Sequence, residues 1–296
     1  MKVSLFINSA LIPALFLALP AAYHPVNHSA DQILKVHDQI LQHPLEKKEL
    51  LADDLVIEKA EEEAPSIQKL LKTSMIPVGQ TLYVWGGGWN EEDTAGGIES
   101  MTIGPSEQWA EFYQSQDEGY NFQNTVYQIH DGLDCSGFIG WSLYNTFYER
   151  NNEDNMVVLS GDFGHMLSSR GYGDVYSPSE ISEYTAGDIM FNNGHIYMIL
   201  GQYEDGSLLL VHSAPPGVRI SGTPDFDGNS ESMAVQKARM LMETYFSDFY
   251  SRYPKVLVES SYLTDYSQFV WNEATMPDRK LMESLTPDQV IDLIFK

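Results

Sequence analysis

The sequence predicts a single domain that mixes helices with strands, and three observations point to it. Apolar residues recur at helical spacing in several separate stretches, and two apolar runs flank the turn Glu204-Asp205-Gly206. A chain of 296 residues with 43% hydrophobic side chains also suffices to bury one sizeable core.

In chain order, Lys2 is followed by an apolar run from Leu11 to Leu19 and then Pro20-Ala21-Ala22. That order of charge, apolar stretch and small residues predicts a signal peptide over 1–22, or an N-terminal membrane anchor if it is not cleaved. Either places the protein outside the cytoplasm, secreted or in the cell envelope. The segment has no cysteine, which argues against a lipoprotein anchor. Nothing further along is long and apolar enough to cross a membrane.

Residues 31–75 read as a helical N-terminal segment. Ile33, Leu34, Val36, Ile40 and Leu41 precede Pro44, and Leu50, Leu51, Leu55, Val56 and Ile57 follow it, so the proline divides two helices. The main domain is expected over 76–275. Its stretch 90–130 is rich in Gly, Asn, Gln and Tyr and reads as an insertion of long loops. From Asp134 to Arg150, Phe138, Ile139, Trp141, Leu143, Tyr144 and Phe147 suit a buried helix. Residues 188–201 and 207–212 read as two paired strands. Asn229 and Ser230 are expected to cap a helix that carries Met233, Ala234, Ala238, Leu241 and Met242. The C-terminal helix, within 276–296, is signed by Thr286-Pro287-Asp288-Gln289: a cap, a proline at the first position and a Gln reaching back.

The formal net charge of −25 repels phosphate backbones and anionic headgroups, which excludes nucleic acid as a partner. There is one cysteine, so the chain forms no internal disulfide. Cys135 stands where a loop becomes a helix, and a helix N-terminus favours a thiolate, so the thiol pKa is expected to be lowered. A thiol nucleophile needs a base, and the base needs an orienting group. His195 opens the strand Ile196-Tyr197-Met198-Ile199-Leu200 and His212 ends the strand Leu208-Leu209-Leu210-Val211. If those strands pair through residues 204–206, both imidazoles emerge at one end of the hairpin.

Four blocks carry a family resemblance. Tyr83-Val84-Trp85-Gly86-Gly87, Leu133-Asp134-Cys135-Ser136-Gly137-Phe138, Ala186-Gly187-Asp188-Ile189-Met190-Phe191 leading to Gly194-His195-Ile196, and Val211-His212-Ser213 resemble, in order, the signature blocks of the NlpC/P60 peptidases. They span roughly residues 81–222. The resemblance implies an α+β papain-like fold, a nucleophile helix packed on an antiparallel sheet, here with extra N- and C-terminal helices. It implies a cysteine peptidase of the bacterial cell wall acting on peptidoglycan stem peptides, at the bond between D-glutamate and a diamino acid, without cofactor or metal. Cys135 falls on the nucleophile, His195 on the base and His212 on the orienting position. Tyr83, Trp85, Asp134 and Ser136 fall on substrate-binding positions, with Asp134 expected to hold a substrate amine.

Two departures stand out. The 52 positions from Tyr83 to Cys135 exceed the usual gap, so Trp89, Trp109, Tyr113 and Tyr120 either wall the cleft or belong to the core. The helical region after Gly222 has no counterpart in the minimal domain. Two alternatives remain open: an amidase or acyltransferase with the same Cys-His machinery, and a non-catalytic wall-binding protein. Cys135 with His130 is a poor metal site, because the chain lacks a second Cys and short His spacings. His165, Asp162 and Asp174 read as solvated, and Gly86-Gly87-Gly88 as a place where backbone passes close to the thiol.

Overall fold

The computed structural model describes residues 64–147 and 155–296. The predicted signal or anchor, and the two helices expected between residues 31 and 63, lie outside the described residues.

The fold is α+β, with one open antiparallel sheet and helices around it. The strands are β1 (Gly173–Tyr176), β2 (Ile189–Phe191), β3 (Ile196–Gln202), β4 (Leu208–Ala214), β5 (Gly217–Gly222) and β6 (Ser267–Trp271), in the spatial order β1-β6-β2-β3-β4-β5. The expected strand over 188–201 is broken in two. Asn192 turns the chain, its carboxamide oxygen accepting the Gly194 and His195 amides at 2.8 and 2.9 Å. β2 and β3 therefore form a tight hairpin of their own.

The helices are α1 (Ile67–Met75), α2 (Glu107–Ser115), α3 (Cys135–Phe147), α4 (Phe163–Ser169), α5 (Met233–Tyr245), α6 (Ser247–Arg252), α7 (Arg279–Glu283) and α8 (Pro287–Phe295). α3 is buried on nearly every side, which is why its sequence is apolar all round rather than striped. It packs across β3 and β4 on one side and α1 on the other. The side chains of Met198, Leu200, Leu209, Val211 and Ile220 meet it in the main core. The opposite face, with Tyr197, Ile199, Leu208 and Leu210, is covered by Val258, Tyr262 and Tyr266. Burial on both faces explains why β3 and β4 read as unbroken apolar runs.

The chain's ends are part of this core. Ile67, Leu70 and Leu71 of α1 are buried in it, as are Val290, Ile291 and Ile294 of α8. The Asp278 carboxylate accepts the Ile67 and Gln68 amides at 2.8 and 2.9 Å, so a C-terminal loop caps an N-terminal helix. α8 carries the predicted capping box of Thr286 and Gln289. The cap of α5 is Ser232 rather than Asn229 or Ser230, because the Asp225 carboxylate folds 225–229 into a turn of its own.

Candidate active site

Cys135 is the first residue of α3, and the residue before it builds the helix start. Asp134 Oδ1 accepts the Gly137 amide at 2.7 Å and the Ser136 hydroxyl at 2.8 Å, and Ser136 Oγ in turn accepts the Trp89 indole N–H at 3.0 Å. Asp134 is thus the N-cap, nearly buried, and burial pushes its carboxyl up to about 6 against the pull of those hydrogen bonds. Expected to hold a substrate amine, Asp134 is engaged with the protein's own donors.

Backbone packs against the helix start at glycines. A Cβ on Gly137 would lie 2.0 Å from the Gly87 carbonyl oxygen, and one on Gly88, whose φ is +89°, would lie 2.7 Å from Gly137 Cα. The Asp134 amide donates to that same Gly87 carbonyl at 2.9 Å. The Gly86-Gly87-Gly88 segment therefore lies beside the thiol-bearing turn, as the sequence suggests. Tyr83 is placed by the Leu133 amide donating to Leu82 and the Val84 amide donating to Leu133, at 3.2 and 3.4 Å. Its phenol is pushed up by burial first, then by the nearness of Cys135 and Asp134. Trp85, by contrast, is half exposed at the surface.

The two histidines meet. β3 and β4 pair through the turn at 204–206, with a register shift between Ile199 and Gly201. His195 Nε2 lies 3.1 Å from His212 Nδ1, and His212 Nε2 lies 3.0 Å from Ser221 Oγ on β5. His212 and Ser221 are fully buried, while Cys135 and His195 keep partial access to solvent. The thiol sits at the start of β3, where the Ile196 amide, next to His195, points to it. The Ser213 hydroxyl donates to the Leu133 carbonyl at 2.7 Å, so the strand that carries His212 also clamps the loop leading into Cys135.

Electrostatics set the resting protonation. Burial pushes the Cys135 thiol up to about 12, and the Asp134 carboxylate adds to this; amides at the helix start pull the other way without prevailing. The expectation of a lowered thiol pKa is thereby corrected: desolvation outweighs the helix terminus. Burial, and then the charge of Arg219, pulls the His195 imidazole down to about 3. The same two causes hold His212 well below the usual histidine range. Both shifts run against a resting thiolate–imidazolium pair.

Three participants escaped the sequence reading. Ser221 ends the hydrogen-bonded chain. Arg219, directly across from His212 on β5, is a buried cation, signalled in the sequence only by a lone Arg between Val218 and Ile220. Tyr262 rests its ring 5.5 Å from that of His195 and 5.9 Å from that of His212, and Tyr262 and Tyr266 both feel the charge of Cys135. Tyrosines of the 260–266 stretch thus wall the site, a role the sequence left open for the 90–130 aromatics. Of those aromatics, Trp109 packs edge-on against Trp141 and Tyr113 tilts against Phe249, both in the core. Tyr120 reaches nearer, donating its hydroxyl to the Tyr83 carbonyl at 2.7 Å.

His130 pairs with Glu99 at 2.6 Å, and among the described residues no cluster of three His, Cys, Asp or Glu side chains is arranged to hold a metal. His165 lies on α4 against the edge of Phe191. No model of a known protein family, no curated protein and no solved structure matches the chain.

Proposed function

We propose that the chain is a cysteine peptidase of the NlpC/P60 type, with a papain-like placing of nucleophile helix against antiparallel sheet, that cuts peptidoglycan stem peptides outside the cytoplasm. The observation that carries this reading is the hydrogen-bonded chain from Ser221 through His212 to His195, whose neighbour Ile196 turns its backbone amide toward the thiol of Cys135 at the start of α3. The signal-like N-terminus and the four sequence blocks support it.

The neutral pair sets the mechanism. The reaction uses the tautomers in which His195 Nε2–H donates to His212 Nδ1 and His212 Nε2–H donates to Ser221, which leaves His195 Nδ1 as the free lone pair. His195 takes the thiol proton as the sulfur attacks the amide carbonyl, so deprotonation and attack occur together. The oxyanion is held by the Cys135 backbone N–H, which has no backbone acceptor among the described residues, with the Tyr83 hydroxyl as second donor. The C–N bond breaks, His195 returns the proton to the leaving amine, and a thioester remains. Water, with His195 as base, then releases the acid and restores the thiol. His212 orients the ring throughout, and the Tyr262 ring limits its swing.

Mass spectrometry of the intact protein, quenched in acid during turnover of a stem tetrapeptide, tests this directly. Wild type is expected to carry the added mass of the acyl fragment, and Cys135→Ala none. An adduct on both proteins, or hydrolysis by Cys135→Ala, contradicts the reading.

A further inference from the structure

In a chain of net charge −25, the buried Arg279 has its carboxylate in Asp188, and surface cations such as Lys237 and Arg239 have theirs in Asp288 and Glu231. Arg219 is 1% exposed, yet among the described residues it forms no ion pair. Its Nη1 donates to the Ala214 and Gly217 carbonyls, and its Nε has no hydrogen-bond partner. A buried cation left in this way is costly, and departures of that kind concentrate at functional sites.

Its position ties it to the two histidines. Ala214 ends β4 and Gly217 opens β5, so the guanidinium lies along the sheet toward the end where β4 finishes and β3 begins. His195 and His212 stand at that end, and His212 is the direct cross-strand partner of Arg219. The Tyr262 ring, 5.5 and 5.9 Å from the two imidazoles, also feels the Arg219 charge.

The hydrogen bond between the rings sets what that charge does. Its 3.1 Å contact joins His195 Nε2 to His212 Nδ1, and the base needs a lone pair at His195 Nδ1. A proton added to His195 occupies that lone pair. A proton added to His212 makes its Nδ1 a donor, so His195 must accept at Nε2 and carry its own hydrogen at Nδ1. Protonation of either ring therefore disables the base, and a fixed cation beside the pair opposes both events.

We propose that Arg219 is a positioning residue that holds the His195–His212 pair neutral, and so keeps the His195 lone pair available in acid. The proposal rests on the reading of His195 as base and assigns to that site its control by pH. The other ionisable groups facing the pair do not replace Arg219. Cys135 on α3, Tyr197 on β3, and Tyr262 and Tyr266 are all pushed toward their neutral forms by burial. Asp134 behind the thiol is engaged with Gly137 and Ser136, and the exposed Lys255 acts on His212 less than Arg219 does.

The rings themselves give the test, by nitrogen NMR of the full chain labelled at histidine, with His195→Gln and His212→Gln to assign the signals. Wild type and Arg219→Lys are expected to keep both rings neutral down to about pH 4.5, and Arg219→Gln to protonate the pair above that pH, because a neighbouring charge moves a titration by about one to three units. The acid limb of kcat/KM is expected to move upward with it. Rings that stay neutral in Arg219→Gln overturn the proposal, as does a wild type that titrates near the ordinary histidine value of about 6.5, a result that needs no variant to fold. Protonation in both Arg219→Lys and Arg219→Gln overturns it too, marking a residue that only ties the turn. Cleavage is read separately. Rings that respond to Arg219 in a protein that cuts no stem peptide leave its hold on the pair standing and remove the peptidase reading, while cleavage with rings indifferent to Arg219 does the reverse.

Discussion

His195 has one nitrogen given to His212 and one left for chemistry, and that division fixes what each neighbouring residue does. Because burial raises the thiol and lowers the imidazole, Cys135 is expected to be a slow target for alkylation at neutral pH. With a thiol near 12, the iodoacetamide rate is expected to rise about tenfold per pH unit between 7 and 9, following the thiolate fraction. A plateau across that range would indicate a preformed ion pair and contradict the assignment. Ser221→Ala removes the acceptor at the end of the chain, loosening His212 without touching substrate. A fall in kcat of about tenfold with KM nearly unchanged is the expected signature of an orienting group. Cys135, His195 and His212 were legible because reactive types stood at a loop-helix junction and at strand ends. Ser221 and Arg219 were not, since a polar residue within an apolar run reads as an interruption until the strand that pairs with it is known.

At the scale of elements, the nucleophile helix depends on its first turn. Asp134→Ala removes the cap and leaves the Gly137 amide and Ser136 hydroxyl without their acceptor, at a cost of about 1–3 kcal/mol seen as a lower urea midpoint. An unchanged midpoint would mean that the carboxylate is held for substrate instead. Gly137→Ala pushes a Cβ into the Gly87 carbonyl and is expected to cost more than an average substitution, roughly 1–3 kcal/mol, because backbone rather than a flexible side chain must yield. α3 and α8 were readable from burial pattern and capping. β1, β5 and β6 were not: each is short, and Arg219, Ser221 and Gln268 are buried at positions that the polar/apolar alternation of β5 and β6 assigns to a solvent face. Gln268 is satisfied by a partner distant in sequence, donating to Asp188 at 2.7 Å.

Over the whole molecule, the two ends of the described chain lock the sheet. Asp188, in the loop before β2, is fully buried and receives the Arg279 guanidinium, the Gln268 amide and the Thr185 N–H. Arg279→Met leaves that carboxylate without its cation, and a loss of about 3–5 kcal/mol in unfolding free energy is expected, measured by chemical denaturation. A change below about 1 kcal/mol, the value of an ordinary surface pair, would show that the bridge does not hold the C-terminal segment in place. The C-terminal helices, without counterpart in the minimal domain that the sequence resembles, thus share one core with the site-bearing strands. Their role was not legible because it depends on contacts spanning some 90 to 210 positions, such as Asp188 with Arg279 and Ile67 with Asp278. The central claim is that Cys135 and His195 cut stem peptides, and mass spectrometry of purified muropeptides incubated with the full chain, beside Cys135→Ala, tests it most directly. New fragments with wild type alone are the predicted result, their masses naming the bond between D-glutamate and the diamino acid. Muropeptides left intact by both proteins would contradict it.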